Sequence, residues 1–341
     1  MDYICNKRQL MKQRINWIDW AKFIAITLVV MGHTPMEHGH PLNVYINCFH
    51  MPFFMFLSGL LTKRQNSFSE NLKRDWISII LPFLLYNIIF YPYWAIKEYT
   101  IGTPITITNY LVHPVIGVLS CSLLQKLVNG PTWFLVALLF SRILIDIGNQ
   151  LRHKNLFYFI IAILLLIFYE TNEYYLFTDK LVLLGFARCF LYFLIGYLLH
   201  GKINNVTLGK RNAFGITIVT GIISTILSLY VYEIPFLLRI AAQQIVCICA
   251  IIFFTCISIL LNPIKWTFVT NISIGTMVIF GLHWAFIGLF NQIIQHLMEI
   301  PQITYSFWQV LCIALLIEAL LYSLIKKLPP MWLGKHSNYI T

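Results

Sequence analysis

From residue 17 to residue 326 the sequence is a succession of apolar runs, each about 20 residues long, the helix length that crosses a hydrocarbon layer about 30 Å thick. In that solvent every backbone N–H and C=O has to be bonded within its own segment, so helices are what such runs form. The runs lie near 17–36, 43–62, 77–98, 132–148, 155–170, 180–199, 211–231, 238–261, 273–295 and 304–326. They predict an all-α polytopic membrane protein with about ten transmembrane helices around a central cavity, a single domain over 1–341. Composition agrees, because 59% of the 341 residues are hydrophobic and 11% charged, against about a quarter charged in soluble domains. Residues 103–129 hold a weaker run, VIGVLSCSLLQKLV, read as a short re-entrant or interfacial helix; a full span there would invert the later topology.

Basic residues set the expected orientation, since cytoplasmic loops are enriched in Lys and Arg. With ten spans and a cytoplasmic N-terminus, Lys7, Arg8, Lys12, Arg14, Lys63, Arg64, Lys73, Arg74, Arg152 and Lys154 fall inside, as do Lys326, Lys327 and Lys335. The outer side and its rim receive Lys97, Lys126, Lys180 and Arg239, so both termini are expected to be cytoplasmic. The net charge of +11 then serves anchoring against anionic membrane lipids, and no nucleic-acid partner is expected. The first run follows a basic segment but carries Asp19 and Lys22 and no small-residue cleavage pattern, so it reads as a retained span. The eight cysteines sit mostly within apolar runs without metal-type spacing, and His38, Gly39 and His40 lie in a short loop with no fixed third ligand, so no metal site is expected.

Ionisable side chains inside such runs cost about 2.5–3.5 kcal/mol at mid-membrane on insertion scales, so they face a cavity or a partner. In NWIDWAKFIAITLVVMGH, residues 16–33, the ionisable groups are Asp19, Lys22 and His33. Lys22 and His33 are eleven residues apart, turned about 20° from one another and spaced by about 16 Å on a helix. Asp19 lies about 40° off the same line, so the polar atoms form one stripe. His50, Arg188 and His283 are buried similarly in later runs, and several of these groups are expected to share one cavity. His283 alone also suits a plain bond to a neighbouring helix carbonyl. Arg142 and Asp146, four residues apart, read as a local helix pair at the inner rim.

These residues resemble a known family. Asp19, Lys22, Gly32 and His33 are similar to the first-helix signature of the acyltransferase family 3 membrane proteins. His50, Met51, Pro52, Phe53 and Phe54, then Leu57, Ser58 and Gly59, resemble the FHMPLFFFLSG segment of its fucose 4-O-acetylase-like branch. Trp133, Phe134 and Leu135 resemble a later WFL, and Leu194 to Leu198 an LxGYL segment. One departure stands: many members carry two arginines three apart before a proline in the first cytoplasmic loop, whereas here Lys73 and Arg74 precede Pro82. The resemblance implies a multi-pass protein of the bacterial cell (inner) membrane that moves an acyl group, in the first place acetyl, from acyl-CoA to a sugar hydroxyl of a surface polysaccharide or lipid-linked glycan. Acyl-CoA is then a cosubstrate, with no permanently bound cofactor.

The residues support that chemistry independently. An alcohol is a poor nucleophile at neutral pH, and histidine titrates nearest the working range, so His33 is the expected general base, with a transient acyl-histidine as the less favoured version. His50, Arg188 and His283, with Trp133 from the resemblance, are the expected supporting, oxyanion or acceptor residues. Asp19, Lys22, Lys73 and Arg74 make up the expected donor site, the cations holding phosphates by charge-assisted bonds. The flexible pantetheine arm, about 15–20 Å long by chain geometry, matches the spacing from Lys22 to His33. The competing class is a transporter or flippase for a lipid-linked sugar or small anion, against which stands the absence of an inverted repeat.

Overall fold

The computed structural model describes residues 14–334 except 38, 66, 121–127, 177, 179–180, 202–208, 232 and 301. It is all-helical among these residues, apart from an isolated bridge between Met36 and Tyr305. In chain order the helices are α1 (Asn16–His33), α2 (Pro41–Leu61), α3 (Phe68–Asp75), α4 (Leu81–Thr100), α5 (His113–Ser120), α6 (Trp133–Asn149) and α7 (Lys154–Tyr175). There follow α8 (Leu181–Leu198), α9 (Lys210–Tyr230), α10 (Phe236–Leu260), α11 (Thr267–Ile274), α12 (Thr276–Met298) and α13 (Phe307–Ile325).

Eight described helical stretches are long and apolar enough to cross a membrane, and the protein is an all-α polytopic membrane protein. The two expected spans outside that set are α1 and α8. Both are inner helices: α1 packs against α2, α10, α11, α12 and α13, and α8 against α2, α6 and α7. A helix shielded from lipid by its neighbours tolerates Asn16, Asp19 and Lys22, which an outer helix does not. Residues Thr108–Ser120 form a π-helical turn and α5, about 20 Å of helix among the described residues, and the continuation of that run, 121–127, lies outside them.

Helices α2 and α8 approach each other closely through two glycines. A Cβ on Gly59 would stand 2.0 Å from the Phe193 carbonyl oxygen, and one on Gly196 would stand 2.1 Å from that of Phe56. The two glycines therefore let the helices meet main chain to main chain, as small residues do between membrane helices. Helix α3 is capped by Ser67, whose hydroxyl accepts from the Glu70 N–H at 3.4 Å, and it runs on through a π turn, Trp76–Ile80, into α4. Pro82 explains the turn, since it lacks the donor that the Ser78 carbonyl would use in regular helix. That carbonyl faces Gly334, where an added Cβ would come within 2.9 Å of it.

The bundle has two distinguishable faces. At one, here the basic face, lie the start of α1, the end of α2, α3, the end of α6 and Gly334. At the other lie His33, the start of α2, the end of α4 and the α12–α13 connection, where Tyr305 N–H donates to the Pro35 carbonyl at 3.0 Å.

Candidate active site

His33 ends the last turn of α1, before Thr34 turns extended, and is half-buried. A carbonyl oxygen can only accept, so the hydrogen of each clustered imidazole is located by its contact to the backbone. His33 Nδ1 lies 2.8 Å from the Val29 oxygen, His50 Nδ1 2.8 Å from that of Ile46, and His283 Nδ1 3.0 and 2.9 Å from those of Ile279 and Phe280. All three rings thus carry hydrogen on Nδ1, and in the neutral ring the lone pair is then on Nε2. His283 Nε2 stands 3.3 Å from His33 Nδ1, so the His33 N–H is shared between Val29 and His283. This leaves His33 Nε2 as a basic nitrogen whose ring is held from behind. When Nε2 takes up a proton, the new imidazolium finds the Val29 carbonyl and the His283 lone pair already aimed at its other N–H, the orienting part that a carboxylate plays in hydrolase triads. His50 completes the cluster, its ring edge-on to His33 at 6.1 Å between centroids.

His33 lines a cavity of about 280 Å³ at the end of the bundle, walled by Phe90, Tyr93, Trp94 and Trp284 and edged by Lys97, Glu98 and Asn291. Trp284 stacks on Phe90 with centroids 6.0 Å apart, and the Tyr305 hydroxyl fixes Asn291 by a 2.8 Å bond to its Oδ1. Aromatic walls with a few placed polar groups are what small-molecule sites present, and the volume limits the occupant to a small group.

A second, larger cavity of about 840 Å³ opens at the basic face, lined by Lys63, Arg64, Arg74, Asp75, Ser78 and Arg142 among others. Here the expected local pair is corrected. Asp146 bonds not to Arg142 but to Arg64, Nε to Oδ1 at 2.7 Å with a second, shorter contact, and to Asn71 Nδ2 at 2.8 Å. Arg142 reaches Asp75 at 2.8 Å, and Arg64 also meets Asp75 at 2.9 Å. Partners from three chain segments outcompete the i, i+4 contact because they bury both carboxylates, which then need several donors each. Burial works to lower the Arg64 pKa, but the bonds and charges of Asp146 and Asp75 outweigh it and hold the guanidinium above its ordinary value. Lys63 and Arg74, bonded to neither aspartate, are the cavity's remaining cations among the described residues.

The other sequence-nominated residues separate. Lys73 is exposed and does not line the basic cavity, whereas its neighbour Arg74 does. Asp19 is buried, held by Arg14 at 2.5 and 2.7 Å and by the Ser273 hydroxyl at 2.6 Å, while Lys22 donates to the Ser273 carbonyl. Neither lines the basic cavity; together they fasten α1 to the end of α11, where the chain breaks before α12 brings in His283. Arg188 donates to the Asn47 and Cys48 carbonyls at 2.9 Å each and, with Trp133, lines a separate cavity of about 440 Å³. Of the groups expected to come together, His33, His50 and His283 do, whereas Lys22 is held at Ser273, Arg188 lines another cavity and the basic cavity opens at the other face. Among the described residues no three His, Cys, Asp or Glu side chains are placed to share a metal ion. His38 lies outside the described residues.

The family described as an acyltransferase domain matches residues 15–323. Nodulation protein NolL of Mesorhizobium japonicum is 30% identical over 141 residues, which are 38% of this chain and 34% of that protein, so the chain matches about a third of its relative's length. No solved structure matches.

Proposed function

The chain belongs to that acyltransferase family, and from this premise we propose that it is an O-acyltransferase moving an acyl group from acyl-CoA, in the first place acetyl-CoA, to a sugar hydroxyl held in the His33 cavity. One observation carries the reading: a histidine ring fixed from behind by His283 lines an aromatic cavity sized for a small group. The hydroxyl oxygen attacks the thioester carbonyl carbon while His33 Nε2 takes the hydroxyl proton. The carbon–sulfur bond then breaks, the ester forms, and the proton returns to the departing CoA sulfur. The phosphates of the donor belong in the basic cavity, against Lys63 and Arg74. Leu61, at the rim of that cavity, and His50, beside His33, are eleven residues apart on α2, about 16 Å of helix, which a pantetheine arm of about 15–20 Å covers. The basic face is then the cytoplasmic side of a cell membrane, and the acceptor, a surface polysaccharide or lipid-linked glycan, meets the opposite face. Membranes holding the protein, given radiolabelled acetyl-CoA, should place label in glycan or lipid-linked glycan. Uptake of a small anion or flipping of a lipid-linked sugar without acyl transfer would contradict the reading.

A further inference from the structure

The wall of the His33 cavity has an outer neighbour. On the lipid side of α4, an apolar groove of about 400 Å³ runs between Leu84, Ile88 and Tyr91 of α4 and Leu111, Val115 and Leu119 of the α5 segment. Its polar side chains are turned to internal partners: Asn87 Nδ2 donates to the Phe83 carbonyl at 2.8 Å and to the Thr132 hydroxyl at 3.1 Å, and the Tyr91 hydroxyl donates to the Tyr110 carbonyl. Among the described residues the groove offers an occupant almost wholly apolar surface, which suits hydrocarbon. Val128 lines both the groove and the His33 cavity, which makes the two spaces neighbours across one side chain.

Their depths differ in a telling way. The cavity takes Phe90, Tyr93, Trp94, Lys97 and Glu98 from α4, whereas the groove takes Leu84, Asn87, Ile88 and Tyr91. The groove is thus centred about 10 Å further along α4 toward the middle of the membrane, at 1.5 Å per residue. The His33 compartment, edged by Lys97 near the surface, and the deeper apolar one beside it, with Val128 as their shared wall, match a molecule with a sugar head, a phosphate and a long chain pointing into the bilayer. We propose that the groove seats the hydrocarbon chain of a lipid-linked acceptor whose sugar occupies the His33 cavity. This rests on the O-acyltransferase reading and narrows its acceptor to the lipid-linked form.

The test uses membranes holding the full chain, radiolabelled acetyl-CoA and, in parallel, added lipid-free glycan. Label should appear in the butanol-extractable fraction, and added polyprenyl phosphate should compete it away from the wild-type protein, whereas inorganic phosphate should not. Filling the groove by Val115→Trp or, independently, Leu119→Trp should cut that label about tenfold, the scale of a small steric misfit. Ile226→Trp, on the lipid-exposed side of α9, should leave it unchanged. Equal labelling of lipid-free glycan, with no competition by polyprenyl phosphate, would mean that bulk membrane lipid fills the groove; that overturns this inference and leaves the acyltransferase reading intact. A groove variant that changes preference for acyl-CoA chain length instead would assign the groove to the donor and likewise overturn it. No label in any fraction would remove the acyltransferase reading and this inference together.

Discussion

At the scale of single residues, the histidine cluster divides labour. His33 meets the cavity, His283 orients it, and His50 packs edge-on. His283 is fully buried and does not line the His33 cavity, so in the proposed reaction its part is that of a positioning residue. Its Nε2 accepts from His33, a role that Gln reproduces in part through its side-chain oxygen and Leu does not. We therefore expect His283→Leu to lower transfer by about 10² and His283→Gln by clearly less, with KM for donor unchanged in both, because an interaction that strengthens as His33 becomes charged acts on the transition state. Equal losses in the two variants, or a loss explained wholly by less folded protein, would make His283 merely structural. The polar stripe of α1 was legible from spacing alone, because three ionisable groups on one face of an apolar helix are costly unless something receives them. What received them was not legible: Ser273, a residue with no charge, binds both Asp19 and Lys22 from more than 250 positions away.

At the scale of elements, length and apolarity located the helices, since the expected spans each fall on a helix of the bundle. The errors came from side chains that choose between near and distant partners. Arg142 and Asp146 have the spacing of a helix pair, yet each crosses to another segment because α3 folds back under α6 and brings Asp75 and Asn71 with it. Sequence spacing reports the near partner only. The same fold-back separates Lys73 from Arg74, which adjacent positions on a helix direct to different sides. Arg74 lines the basic cavity and Lys73 does not, so the two variants should differ. Arg74→Gln should raise KM for acyl-CoA about tenfold with little change in kcat, as expected for a phosphate contact made equally in ground and transition states, while Lys73→Gln should leave donor kinetics near wild type. Equal effects of the two substitutions would show that the patch acts as a diffuse field and not as a site.

At the scale of the whole molecule, the bundle separates two chemistries and joins them through α1 and α2. Charge gathers at one face around Arg64, Arg74 and Arg142, and aromatic walls gather at the other around His33. In the proposed reaction a polar donor from one side and an acceptor from the other would meet at that one imidazole. That account makes His33 indispensable to transfer and irrelevant to donor binding, because the phosphates lie about 16 Å away along α2. Replacing a polar residue within a span by alanine removes a cost, so insertion should survive. The measurement is the rate of acyl transfer per correctly folded molecule, alongside acetyl-CoA binding, in His33→Ala and His33→Gln. The account predicts a rate lower by about 10² to 10⁴ in both, the usual share of general-base catalysis, with donor affinity unchanged. Near-normal turnover per folded molecule in either variant would contradict it.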